Sequence, residues 1–90
     1  MIMDEPYSYS ESDCLNCFNY CGGKANVVEI ESCTTRVRIE LKDLSLADLE
    51  KLKTLPLVQG VWKRKTEVQL VIGFESYKIA KLLQSYLKIN

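Results

Sequence analysis

From Arg36 to Lys42 the chain alternates without a break, with Val37, Ile39 and Leu41 apolar and Arg36, Arg38, Glu40 and Lys42 charged. A period of two over that length belongs to a β-strand with one buried and one wet face. The strand is expected from about Thr35 to Leu41. It sets Arg36 and Arg38 on the same wet face, near the strand's start and close to Cys33 in the polar connection before it.

A cysteine reacts as its thiolate, and nearby guanidinium groups favour that form. The same groups can grip a doubly charged phosphoryl group through fork-shaped, charge-assisted hydrogen bonds. Cys33 with Arg36 and Arg38 therefore fits covalent phosphoryl transfer, the thiolate as nucleophile and the arginines as clamp. Spacing alone favours the plainer reading, a hairpin cysteine followed by a solvated charged strand face.

The rest of the chain supplies partners for that strand. Ser10 or Ser12 caps a helix running to about Tyr20, and Gly22-Gly23 stops it. A short strand follows at about Val27–Glu31, with Val28 and Ile30 on one face. Beyond Lys42-Asp43-Leu44, Ser45 and Asp48 have capping-box spacing and open a helix to about Leu55, with Leu46, Leu49, Leu52 and Leu55 as its buried stripe. Pro56 ends it. Strands follow at about Val58–Lys63 and Glu67–Ile72, the second with Val68, Leu70 and Ile72 inward. The turn between them, Lys63-Arg64-Lys65-Thr66, reads as a solvated hairpin tip in preference to an anion site formed by the basic cluster at 63–65. A last helix runs from about Ser76 to Leu87, on a stripe of Ile79, Leu82, Leu83 and Tyr86.

The order α-β-β-α-β-β-α predicts an α+β fold, a four-stranded antiparallel sheet with three helices packed on one face as a two-layer sandwich. Residues 1–11 are read as a flexible N-terminal arm and 12–90 as one domain. The net charge is zero, which supplies no basic field for nucleic acid. The N-terminus lacks the positive end and apolar run of a secretion signal, so the four cysteines are expected as reduced thiols in a cytoplasm. Cys14, Cys17 and Cys21 have a spacing that would let three thiols bind zinc or an iron–sulfur cluster, with Cys33 as a fourth ligand. With Phe18 they also form the core-facing stripe of a helix, and no second Cys-x-x-Cys knuckle accompanies them; they are read as core, with no metal and no cofactor.

Four stretches resemble the IIB domain of the glucose/sucrose-type permeases of the bacterial phosphoenolpyruvate-dependent sugar phosphotransferase system. Gly22-Gly23-Lys24-Ala25-Asn26-Val27 matches the family's Gly-Gly-Lys-x-Asn-Ile, and Cys33-Thr34-Thr35-Arg36-Val37-Arg38 its Cys-x-Thr-Arg-Leu-Arg. Asp43 matches the aspartate after that strand, and Val68-Gln69-Leu70-Val71-Ile72-Gly73 resembles Val-Gln-x-Ile-x-Gly. Glu67 stands where the family usually has glycine.

The resemblance implies that Cys33 is a phosphocysteine and that Arg36 and Arg38 are functional arginines. Thr34, Thr35 and Gln69 would cradle the phosphate oxygens. It further implies a IIA phosphocarrier as phosphohistidine donor, a membrane-embedded IIC permease and a sugar as acceptor, and a place at the inner face of the cell membrane. Two other classes stay open beside it. One is a regulatory or scaffold domain that binds a partner protein, such as a transcriptional regulator, without transfer to sugar. The other is a metal-binding module of Cys14, Cys17, Cys21 and Cys33.

Overall fold

The computed structural model of the chain describes residues 8–88. Helix α1 (Glu11–Tyr20) leads to strands β1 (Val27–Cys33) and β2 (Arg36–Leu41), helix α2 (Leu49–Leu52), strands β3 (Gly60–Arg64) and β4 (Glu67–Val71) and helix α3 (Ser76–Leu87). Short 3-10 turns stand at Lys24–Asn26 and Leu44–Leu46. The strands form one antiparallel sheet in the order β1-β2-β4-β3, so the two hairpins lie side by side with β2 and β4 in the middle. This is the expected two-layer α+β sandwich. No helix among the described residues is long and apolar enough to cross a membrane.

The alternation in β2 works as the sequence pattern requires. Val37, Ile39 and Leu41 are fully buried, as are Val68 and Leu70 opposite them on β4. They meet Ile79, Ala80 and Leu83 of α3 and Cys14, Cys17 and Phe18 of α1 in one apolar cluster. Helix α1 is started by a reciprocal capping box, in which Ser10 Oγ accepts from the Asp13 amide and Asp13 Oδ2 from the Ser10 amide. Tyr9, read as part of the loose arm, is buried and its hydroxyl donates to the Pro56 carbonyl at 2.7 Å. Ordered structure therefore begins before residue 12; the rest of the arm, residues 1–7, lies outside the described residues.

Local departures from the expected elements have identifiable causes. A β-bulge between Val27 and Glu29 turns Val28 outward, so Val27 and Ile30, not Val28 and Ile30, are the buried pair. The helix expected from Ser45 to Leu55 is broken in two. Asp43 accepts from the Ser45 amide and opens the 3-10 turn, and Asp48 accepts from the Lys51 amide and opens the short α2. Leu46 is consequently exposed, whereas Leu52 and Leu55 are buried and Leu49 packs against the core from the rim.

Asn26 explains the Gly-Gly-Lys-Ala-Asn run. Its side-chain amide donates to the Cys21 carbonyl (2.8 Å) and the Asp43 carbonyl (2.9 Å), and its Oδ1 accepts from the Asp43 amide (3.0 Å). The end of α1 and the exit of β2 are thereby tied through one buried side chain. Gly22 stands at φ +97°, where a Cβ would lie 2.6 Å from that of Leu46. Only glycine fits the turn.

Candidate functional site

The site forms on the wet face of the sheet, opposite the helices. Cys33, the last residue of β1, pairs directly across from Arg36, and the connection is only Thr34-Thr35. Thr34 has φ +46°, an uncommon left-handed conformation for a β-branched residue. Neighbouring strand ends hold the tip in place, because the Thr35 carbonyl accepts from the amides of Ile72 (3.0 Å) and Gly73 (2.9 Å) just past β4. Cys33, Thr34 and Thr35 are all exposed.

Pairing of β2 with β4 then brings polar side chains together along a diagonal. Arg38 faces Gln69 and Arg36 faces Val71 in register, so Arg36 reaches Gln69 and Arg38 reaches Glu67 as diagonal neighbours. Arg36 Nη1 donates to Gln69 Oε1 at 2.8 Å, and Gln69 Nε2 donates to Glu67 Oε1 at 2.7 Å. Arg38 Nε and Nη2 both reach Glu67 Oε2, at 3.1 and 2.9 Å. The Arg36 guanidinium also lies 5.8 Å from the ring centre of Trp62, which is 61% exposed.

A groove of about 320 Å³ runs beside the sulfur, lined by Cys33, Thr34 and Thr35 with Arg36, Arg38, Arg64 and Gln69. Every residue expected at the site from the sequence lines this groove. Its charged lining is three guanidinium groups. The pairing with Glu67 raises the Arg38 pKa further, and the Cys33 sulfur and Glu31 add smaller pushes in the same direction. Glu67 is held below the usual carboxylate range, first by the Gln69 amide and then by Arg38 and Arg64, against an opposing effect of partial burial.

Two residues of this arrangement escaped the sequence reading. Arg64, read from the sequence as part of a solvated tip in preference to an anion site, lies on the wet face with Trp62 and enters the groove. Its signal was the alternation Trp62, Arg64 along β3. Glu67 could be linked to Arg38 only once β2 and β4 were known to be neighbours. The other three cysteines are elsewhere: Cys14, Cys17 and Cys21 are fully buried in the helical layer while Cys33 is exposed on the sheet. Burial, aided by the carboxylates of Asp13 and Glu11, pushes the Cys14 thiol up to about 11. Cys17 is raised well above its usual value by a hydrogen bond with Cys21 and by burial. These are inert packing thiols, and among the described residues no group of three or more cysteine, aspartate or glutamate side chains is arranged to hold a metal ion.

A family model described as phosphotransferase system, EIIB, matches residues 18–48, a span that includes Asn26, Cys33, Arg36 and Arg38. The N-acetylmuramic acid-specific EIIBC component of Pasteurella multocida is 33% identical over 72 residues, covering 79% of this chain and 15% of that protein. A probable sucrose-specific EIIBC component of Bacillus subtilis is 38% identical over 52 residues, 58% of this chain and 11% of its own length. The chain thus spans a small fraction of these relatives. One domain of the IIabc component from Clostridium difficile has the same fold, with a TM-score of 0.69, 19% identity and coverage of 91% of this chain and 90% of that one. The chain is homologous to the cysteine-type EIIB domains of several sugar-specific EIIBC components of the phosphotransferase system.

Proposed function

We propose that the chain is a phosphocarrier that takes a phosphoryl group from a IIA phosphohistidine onto Cys33 and hands it to a sugar held by a IIC permease, at the inner face of the cell membrane. The observation that carries this reading is the exposed Cys33 at the rim of a groove whose charged lining is Arg36, Arg38 and Arg64. The Cys33 sulfur attacks phosphorus in line, an S–P bond forms, and the P–N bond breaks with its electron pair passing to the imidazole. In the second step a sugar hydroxyl oxygen attacks the same phosphorus, the S–P bond breaks, the thiolate is regenerated and the hydroxyl proton is lost to solvent or a base.

The chain's own contribution is positioning and charge. Guanidinium groups disperse the charge of the transferring phosphoryl group without bonding to it covalently. The Gln69 bridge and the Trp62 ring hold the Arg36 fork over the sheet in advance of the phosphoryl group's arrival. Thr34 and Thr35, a two-residue tip held through the Thr35 carbonyl, keep the sulfur exposed beside the groove, where two partners in succession can reach it. The test is labelled phosphate supplied on a IIA phosphohistidine, with membranes containing a IIC permease and its sugar. Label is expected first on Cys33 and then on sugar. Label that reaches Cys33 and goes no further contradicts the carrier role and favours a regulatory domain.

A further inference from the structure

The two arginines flanking Cys33 are not equivalent. Arg36 is held by a neutral amide, Gln69, which orients it and leaves its charge free. Arg38 is held twice by a carboxylate, Glu67, whose side chain is only 14% exposed and whose other oxygen is fixed by Gln69. We infer that Glu67 is a positioning residue that acts as the resting counter-ion of Arg38, so that a phosphoryl group on Cys33 must compete with a carboxylate for one of its clamps. This rests on the phosphocysteine reading and adds to it a means of setting how tightly the phosphate is held.

The chemistry gives the direction. A thiophosphate dianion beside Arg36 and Arg38 draws both guanidinium groups, but turning Arg38 toward it breaks two charge-assisted bonds to Glu67. The bound phosphoryl group is therefore less stabilised than two free arginines would make it, and it leaves more readily. Gln69 touches both Arg36 and Glu67, so the two clamps are mechanically joined. Glu67→Gln keeps the shape and the oxygen that accepts from Gln69 while removing the charge.

The experiment measures the equilibrium partition of phosphate between a IIA phosphohistidine donor and this chain, by intact mass. Glu67→Gln is expected to shift the partition toward Cys33 by roughly tenfold, the scale of one charge-assisted hydrogen bond. In an Arg38→Gln background the same change is expected to shift it less than about twofold, since the coupling runs through Arg38. An unshifted partition in Glu67→Gln overturns the inference, and so does an equal shift in both backgrounds, which marks a diffuse field instead of a counter-ion. If the Arg38→Gln chain accepts no phosphate, the Arg38 Nε–H resonance of the wild-type chain decides. It is expected to move on phosphorylation, and a resonance left in place overturns the exchange. A wild-type chain that takes up no phosphate at all overturns the phosphocysteine reading itself, and this inference with it.

Discussion

Replacing Asn26 by alanine should cost far more than a polar residue in a loop ordinarily does. The side chain makes three hydrogen bonds, to the carbonyls of Cys21 and Asp43 and from the Asp43 amide, and the residue is only 5% exposed. At a net value of about 1 kcal/mol each, their loss amounts to about 3 kcal/mol, and more if the Asp43 amide finds no water. Total stabilities of small domains are about 5–15 kcal/mol, so the variant should stay folded at low temperature yet unfold early. With a urea slope of about 1–2 kcal/mol/M the midpoint should fall by roughly 1.5–3 M. Asn26→Asp should be no better than alanine, because it puts an anion against two carbonyl oxygens. Urea titrations followed by Trp62 fluorescence and by circular dichroism measure the shift. An alanine midpoint within about 0.3 M of wild type, the scale of an ordinary surface substitution, would refute the view that this side chain ties α1 to the β2 exit.

Four further outcomes follow from the same geometry. Gly22→Ala should lose about 2 kcal/mol or more, since positive φ strains alanine and its Cβ would meet Leu46 at 2.6 Å; differential scanning calorimetry checks this. Arg36→Lys should lower sugar phosphorylation by roughly tenfold or more while moving stability by less than about 1 kcal/mol, because a point charge replaces a fork at a half-exposed position; steady-state transfer and a melting curve read the two effects. For pH, the Cys14 thiol has its pKa raised from 9.0 to about 11 in the folded chain, so the native state binds the extra proton. Its contribution is fully present below pH 9 and is lost as pH rises through 11, and stability should fall across that window. A thiol reagent at neutral pH should meanwhile find one fast-reacting cysteine in the folded chain and all four in urea.

The strand alternation was readable because β2 and β4 are each buried on one side only, which writes burial directly into the residue order. Helix α3 was readable for the same reason, its bounds agreeing at both ends. The Ser45–Leu55 segment misled because leucine spacing suits a helix, while Asp43 and Asp48 each capped a separate turn through local hydrogen bonds. Val28 misled because a bulge inserts one residue and reverses the alternation. At the site, Cys33, Arg36 and Arg38 lie within one hairpin and could be grouped from spacing. Arg64 and Glu67 belong to the other hairpin, and their approach depends on which strands are neighbours, a long-range property that local pattern does not encode.

Everything functional turns on Cys33 as the temporary carrier of phosphate. The most direct measurement is the intact mass of the chain after incubation with phosphoenolpyruvate and the upstream phosphocarriers. One added phosphoryl group, absent when the exposed thiol is alkylated and absent in Cys33→Ser, is the expected result. No added mass, or an added group that persists in Cys33→Ser, would contradict the account.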